Sequence, residues 1–242
     1  MPRRTLAVIP ARYASTRLPG KPLLRETGKY LVQHVYERAA KAFDRVIVAT
    51  DDDRILRAVR SFGGEAMMTS AKHPNGTCRI AEVASKTPCD RIVNVQGDEP
   101  EVDLRHLRLV AKLLDTAEMA TLAVPFETET GAENPSRVKV VLDKKGFALY
   151  FSRSRIPHEG AALLHLGLYA YTRPFLLKFV KLPTGRLEQG ERLEQLRALE
   201  NGVRIRVGVV RGAARGGIDT AEDYRAFVER RAAVAVRRGG TE

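Results

Sequence analysis

The sequence predicts an α/β fold, a mixed and mostly parallel sheet flanked by helices and carrying a small antiparallel lobe. Three observations lead there. Short β-rich runs alternate with helical periods through the first half of the chain. Beyond Val124-Pro125 the apolar runs follow one another with turns between them and no helices. The length, 242 residues, suits one large domain or one domain with a small lobe.

Taken in order, Leu6 to Ile9 reads as a buried strand. Leu31, Val35 and Ala39 have the i, i+4 spacing of a helix face, with Val32 and Tyr36 beside them. Val46 to Thr50 is the next strand; Ile55, Val59 and Phe62 mark a helix that Gly63-Gly64 closes as a C-cap. A short strand at Ala66 to Met68, a helix from about Thr77 to Lys86 and a strand at Ile92 to Val95 follow. Leu104, Leu107, Val110, Ala111 and Leu114 form another helical stripe. The lobe, within about 125–210, is read from strands at Val138 to Leu142, Ala148 to Phe151 and Leu164 to Tyr171. Leu193, Leu196 and Leu199 belong to a helix ending at Asn201-Gly202, and Val203, Ile205, Val207 and Val209 alternate as a strand with one polar face. A last helix begins near Thr220, capped by Asp219 or Thr220 with Glu222 or Asp223 answering. With no internal repeat and no low-complexity linker, residues 1–242 read as a single domain.

Composition narrows the function. Hydrophobic residues at 44% and charged residues at 29% fit a globular protein rather than a disordered one. No apolar run approaches the roughly 20 residues that cross a bilayer. Leu6 to Ile9 is too short for a signal-peptide core and is followed by Pro10 and Arg12, so a cytoplasmic protein is expected. Two cysteines, Cys78 and Cys89, form neither a disulfide framework nor a zinc spacing. The net charge is +12, from 41 basic and 29 acidic residues. That surplus admits an RNA-binding protein. However, the basic residues are spread out and mostly arginine, 30 of 41, and aromatics amount to only 6%. RNA recognition needs aromatic platforms interleaved with the charge, so an anionic small molecule is the expected partner and not nucleic acid.

The most informative stretch is P-A-R-Y-A-S-T-R-L-P-G-K-P-L, Pro10 to Leu23, directly after the first strand. Ligands of α/β sheets collect beyond the carboxyl ends of parallel strands. Arg12, Arg17 and Lys21, with the hydroxyls of Ser15 and Thr16, supply the charges and donors that a triphosphate requires. Neither a Walker pattern nor G-x-G-x-x-G is present. Asp98, just past the strand at Ile92 to Val95, is an oxygen ligand suited to Mg²⁺, or equally a turn residue in G-D-E-P. Asn75 and Thr77 are good helix caps as well as possible ligand contacts. Asp51-Asp52-Asp53 contains a D-x-D that a glycosyltransferase would use for metal; acidic residues also favour a helix's first turn.

The loop resembles the N-terminal signature of the 3-deoxy-manno-octulosonate cytidylyltransferases, the CMP-Kdo synthetases. The likeness continues in V-A-T-D (Val48 to Asp51), N-G-T (Asn75 to Thr77), N-V-Q-G-D-E-P (Asn94 to Pro100) and F-S-R (Phe151 to Arg153). It runs on through H-L-G-L-Y-A-Y (His165 to Tyr171), L-E-Q-L-R-A-L-E-N-G (Leu193 to Gly202) and I-D-T-A-E-D (Ile218 to Asp223). The blocks stand in family order over nearly the whole chain.

That resemblance implies a Rossmann-like nucleotide-diphospho-sugar transferase fold and a reaction joining CMP from CTP to an acidic 3-deoxy sugar, with Mg²⁺ as cofactor. It implies nucleotide contacts from Pro10, Ala11, Arg12, Ser15, Lys21, Thr50, Asn75, Gly76, Thr77, Arg79, Gln96 and Asp98. Arg12, Arg17, Lys21 and Asp98 would be catalytic, and Asp98 and Asp219 would hold metal. Gln96, Arg153, His165, Tyr169, Glu194 and Gln195 would meet the acceptor sugar. A homodimer without membrane insertion, supplying lipopolysaccharide precursors, is implied too. The chain departs from the family pattern at Cys78, Leu164 and Arg186, and in a shorter Ile156 to Leu164 loop. These lie at the base turn and the acceptor lobe, so 8-amino-Kdo or a sialic-type nonulosonate stands as an alternative acceptor.

Overall fold

Strand β1, Thr5–Ala11, carries four consecutive residues, Leu6 to Ile9, that are buried on both faces of the strand, the pattern of a sheet covered by helices on each side. It opens a computed structural model that describes residues 3–14, 18–126, 128–212 and 216–239, with side chains for all of these but 129, 130 and 235–239. The chain divides into two compact units. The N-proximal unit comprises Ala7–Val83, Val95–Val102 and Arg215–Glu242; the central unit comprises Met1–Leu6, Ala84–Asn94 and Asp103–Ala214.

In the N-proximal unit, β2 (Arg45–Thr50) lies between β1 and β3 (Glu65–Met68) and runs parallel to β3, with Val48 opposite Ala66. Parallel neighbours need a crossover, and α1 (Leu31–Ala40) and α2 (Asp53–Ser61) supply them. Asp52 caps α2, its carboxylate accepting from the Arg54 N–H, and Gly63 ends it at φ 80°, a left-handed conformation that glycine adopts freely. The start of α8 (Ala221–Gly239) is a reciprocal capping box. Thr220 Oγ1 accepts from the Asp223 N–H, and Asp223 accepts from the Thr220 N–H. Thr220, not Asp219, is therefore the cap. Ile218, Tyr224 and Phe227 bury themselves with Leu31.

In the central unit the strand order is β4 (Arg91–Asn94), β8 (Leu163–Thr172), β5 (Met119–Pro125), β9 (Ile205–Val209). β8 runs antiparallel to β4 and β5, β9 runs parallel to β5, and β6 (Lys139–Leu142) pairs antiparallel with β7 (Ala148–Ser152) and β8. α3 (Gly76–Lys86) crosses from one unit's residues to the other's, and α4 (Leu104–Leu113) packs on β5 and β9.

Three readings need correction. Met119–Pro125, not expected as a strand, is β5, buried along six of its seven residues. Leu193 precedes its helix, because Arg192 at φ 53° separates α6 (Arg186–Glu191) from the short α7 (Leu196–Glu200). β9 lacks a simple polar face: Val209 is half exposed, while a Cβ at Gly208 would meet Leu122 at 2.8 Å and Leu113 at 3.0 Å. α5 (Arg173–Phe179) was also unforeseen; Phe175, Leu176 and Phe179 bury its inner side.

Candidate active site

The segment after β1 turns at Gly20, whose φ of 68° and contact with the Tyr13 ring, 3.3 Å from a built Cβ, favour glycine there. The turn delivers Lys21 into a short 3-10 helix, Lys21–Leu23, with Pro22 pre-setting its first turn. Lys21 Nζ then meets three oxygens: Asp98 Oδ2 at 2.7 Å, the Ile218 carbonyl at 2.7 Å and Asp219 Oδ1 at 3.5 Å. Residues nearly 200 positions apart in sequence thus share one ammonium.

Glycines allow the approach. A Cβ at Gly97 would lie 2.7 Å from the Pro10 carbonyl, so the loop carrying Gln96 and Asp98 can touch the end of β1 only as glycine. At Gly217 a Cβ would come within 3.2 Å of the Asp98 carboxylate. The Ile218 N–H closes the contact by donating to the Asp98 carbonyl at 2.8 Å. Glu99 lies beside this centre; burial, with a smaller push from the Asp98 charge, raises its carboxyl to about 7.

Arg12 leaves the end of β1 and donates through Nη2 to the His73 carbonyl at 2.9 Å, tying the basic loop to the turn before α3. His73 Nε2 sits 2.6 Å from Glu82 Oε2, which also accepts from the Ser70 N–H. Asn75 caps α3, its Oδ1 accepting from the Cys78 N–H at 2.8 Å, and a Cβ added at Gly76 would lie 3.4 Å from the Pro10 ring. Pro10 and Ala11 end β1, and Thr50 ends β2 fully buried, its Oγ1 accepting from the Asp52 N–H. Arg79, fully buried, donates to Thr69 Oγ1 at 2.6 Å and to Asp51 Oδ2 at 2.5 Å. Of the D-x-D, Asp51 is thereby committed to an internal ion pair and Asp53 opens the first turn of α2, with Asp52 between them as its cap. Ser15, Thr16 and Arg17 lie outside the described residues.

The residues implied for the sugar belong, Gln96 apart, to the central unit. Arg153 follows β7 directly and donates to neutral carbonyls: Glu191 at 2.8 Å, Pro135 at 3.2 Å and Arg192 at 3.4 Å. Glu191 also binds the Ser152 hydroxyl and the Arg153 N–H. Lys139, fully buried, donates to the carbonyls of Arg153 and Asn134. His165 and Tyr169 stand on β8 with ring centroids 5.3 Å apart. Burial lowers His165 to about 3, so its imidazole is neutral, and burial together with the Glu194 charge holds the Tyr169 hydroxyl protonated. Gln195 is buried, with no partner for its Nε2 among the described residues.

Sequence reasoning missed several participants. Lys139 and Glu191 carry no motif, since a strand lysine and a helix carboxylate look ordinary in one dimension. Gly97 alone left a signal, its place in G-D-E-P beside Asp98.

Residues 6–205 match a family model described as Cytidylyltransferase, which makes this fold and site those of a nucleotide-transferring enzyme, a cytidylyltransferase. The 3-deoxy-manno-octulosonate cytidylyltransferase of Syntrophobacter fumaroxidans is 51% identical over 240 residues, covering 93% of this chain and 96% of that one. Its counterpart in Thermodesulfovibrio yellowstonii is 48% identical over 242 residues, covering 90% and 94%. A solved structure of CMP:2-keto-3-deoxy-manno-octonic acid synthetase complexed with CTP superposes with a TM-score of 0.89 at 42% identity, over 97% of this chain and 99% of that one. The chain belongs to the 3-deoxy-manno-octulosonate cytidylyltransferase family.

Proposed function

We propose that this enzyme converts CTP and 3-deoxy-D-manno-octulosonate (Kdo) to CMP-Kdo and pyrophosphate, activating Kdo for lipopolysaccharide biosynthesis. The observation that carries the reading is the convergence of Lys21, Asp98 and Asp219 at the ends of the strand segments, in a chain of this family. The anomeric hydroxyl of the sugar attacks the α-phosphorus. The new P–O bond forms as the α–β bridge breaks, the hydroxyl gives up its proton and pyrophosphate leaves with the electron pair. Such transfers depend on positioning and on neutralising charge in the transition state. Arg12 and Lys21, with Arg17, supply that charge to the triphosphate. The Asn75–Thr77 turn and Gln96 border the nucleotide, and Arg153, His165, Tyr169, Glu194 and Gln195 meet the sugar.

Mg²⁺ is part of the proposal. Two carboxylates and a carbonyl already gather around the Lys21 ammonium, which is the hard oxygen donor set that magnesium selects, and the ammonium occupies a cation's place among them. Asp98 and Asp219 would hold the ion, which supplies charge neutralisation to a phosphate and lowers the pKa of an oxygen nucleophile. Among the described residues no helix is long and apolar enough to cross a membrane, which is compatible with work in the cytoplasm. The homodimer is carried over from the family resemblance; light scattering on the purified protein would test it.

Pyrophosphate release, with CTP, Mg²⁺ and a panel of Kdo, 8-amino-8-deoxy-Kdo, N-acetylneuraminate and mannose, tests the reading. Release with Kdo that EDTA abolishes is expected. Release with N-acetylneuraminate alone would move the acceptor assignment to the sialic-type sugars, and silence with every sugar would sink the proposal.

A further inference from the structure

The β5–β8 ladder breaks register between Thr121 and Leu122: Thr121 faces Tyr169, while Leu122 faces Leu166, so Gly167 and Leu168 form a bulge on β8. Bulges redirect side chains and backbone oxygens. Here the Thr121 hydroxyl meets three groups at once: the Leu168 carbonyl at 2.9 Å, the Leu166 carbonyl at 3.1 Å and His165 Nε2 at 2.9 Å. A hydroxyl has one proton, and carbonyl oxygens only accept. The proton is therefore spent on the carbonyls, and Nε2 must be the donor toward the Thr121 oxygen. Both imidazole nitrogens cannot be protonated, since burial lowers His165 to about 3. The ring is thus neutral, with its proton on Nε2 and a lone pair on Nδ1, which has no hydrogen-bond partner among the described residues. Phe151 and Tyr169 hold the ring plane, with centroids 5.1 and 5.3 Å away.

We propose that Thr121 is a positioning residue of the acceptor site, its hydroxyl setting His165 as the Nε2–H tautomer so that Nδ1 accepts a hydrogen bond from a sugar hydroxyl. This rests on the reading that His165 meets the acceptor sugar. A lone pair in that position selects a hydroxyl and disfavours a carboxylate, so the acid group of the sugar is left to cationic residues such as Arg153. Serine keeps the proton logic, whereas valine keeps the shape and removes it.

The test combines nitrogen-15 NMR of the histidine rings in the whole protein, with the His165 signals assigned by their loss in His165→Gln, and steady-state kinetics. In the wild type the ring is expected as Nε2–H. In Thr121→Val it redistributes between tautomers, and KM for Kdo rises about tenfold while KM for CTP holds, the effect of one hydrogen bond lost from binding. Thr121→Ser restores both. A wild-type ring protonated on Nδ1 overturns the proposal, and so does a Thr121→Val ring with unchanged tautomer. The wild-type spectrum alone decides if the valine variant does not fold. A tautomer shift with unmoved KM for Kdo would support the hold of Thr121 on the ring and overturn the acceptor reading of His165.

Discussion

The two units offer a ligand different materials. The N-proximal unit gathers charge on loops at strand ends: Lys21 against two carboxylates and a carbonyl, and Arg12 anchored to the His73 carbonyl. The central unit arranges neutral or fixed groups along the strands: a neutral His165, a protonated Tyr169 and Thr121 at a bulge. A triphosphate is matched mainly by charge, which acts over distance and tolerates movable side chains. A polyhydroxy sugar is matched by donors and acceptors whose directions count, and those are best held by rigid elements. The difference teaches that charge removal should break the first region through rate, and hydrogen-bond removal the second through binding.

The most severe expected break is Asp98→Asn, which keeps the shape and removes the charge. Pyrophosphate release with CTP, Kdo and Mg²⁺ should fall by about 10²–10³-fold, the usual loss when one electrostatic group of a transition state is removed. A fall of less than tenfold would take Asp98 out of the catalytic centre. Lys21→Met sharpens the same contrast. It should also cripple turnover, yet Mn²⁺ should bind the nucleotide-free protein more tightly, as read by electron spin resonance, because the carboxylates lose their ammonium. Unchanged Mn²⁺ affinity would mean that Lys21 and the metal do not compete.

Next comes stability. Arg79→Met leaves Asp51 and Thr69 without their buried partner and should lower the unfolding free energy by about 3 kcal/mol in a urea titration. Arg105→Ala, on an exposed pair with Asp103, should change it by less than about 1 kcal/mol. Equal losses would mean the buried pair is no more critical than a surface one. Gly97→Ala should cost about 1–3 kcal/mol and reduce turnover as well, since the added Cβ meets the Pro10 carbonyl at 2.7 Å. An alanine variant as active as wild type would show that the loop has room to shift.

A further contrast is in pH. Burial lowers His34 from 6.5 to about 4, so between those values the unfolded chain binds the proton and the folded chain does not. Through His34 by itself, stability falls as pH drops from about 6.5 toward 4. Glu99 works in the opposite direction: raised from 4.5 to about 7, it is protonated in the folded chain first, and its contribution is lost as pH rises through about 7. Glu99→Gln should therefore steepen the acid-side decline in thermal melts, while an unaltered slope would mean Glu99 ionises normally.

Much of the N-proximal unit could be read from one dimension, because its cues are local. Apolar runs mark β1 and β2, Gly63 ends a helix, and P-A-R-Y-A-S-T-R-L-P-G-K-P-L declares a basic loop after a strand. The central unit was harder. β5, buried along six of its seven residues with Thr121 its one polar side chain, carries no alternation to mark it as a strand, and α5 follows β8 with no linker. The expected alternation fails at the end of β9, where Val209 is half exposed and Gly208 is packed against Leu113 of α4.

Local pattern sets out which chemistry is present and in what order: the cations of the first loop, Asp98 beyond its strand, and aromatics along β8. Those properties follow from short-range periodicity and from side-chain chemistry. Which of them meet depends on how the chain folds. Folding brought Asp98 and Asp219 to one ammonium, committed Asp51 to Arg79, and turned an ordinary threonine toward His165 through a register shift. Contacts between residues tens to hundreds of positions apart depend on strand order, bulges and glycine-permitted approaches. No local pattern encodes these, because each is a property of two segments rather than one.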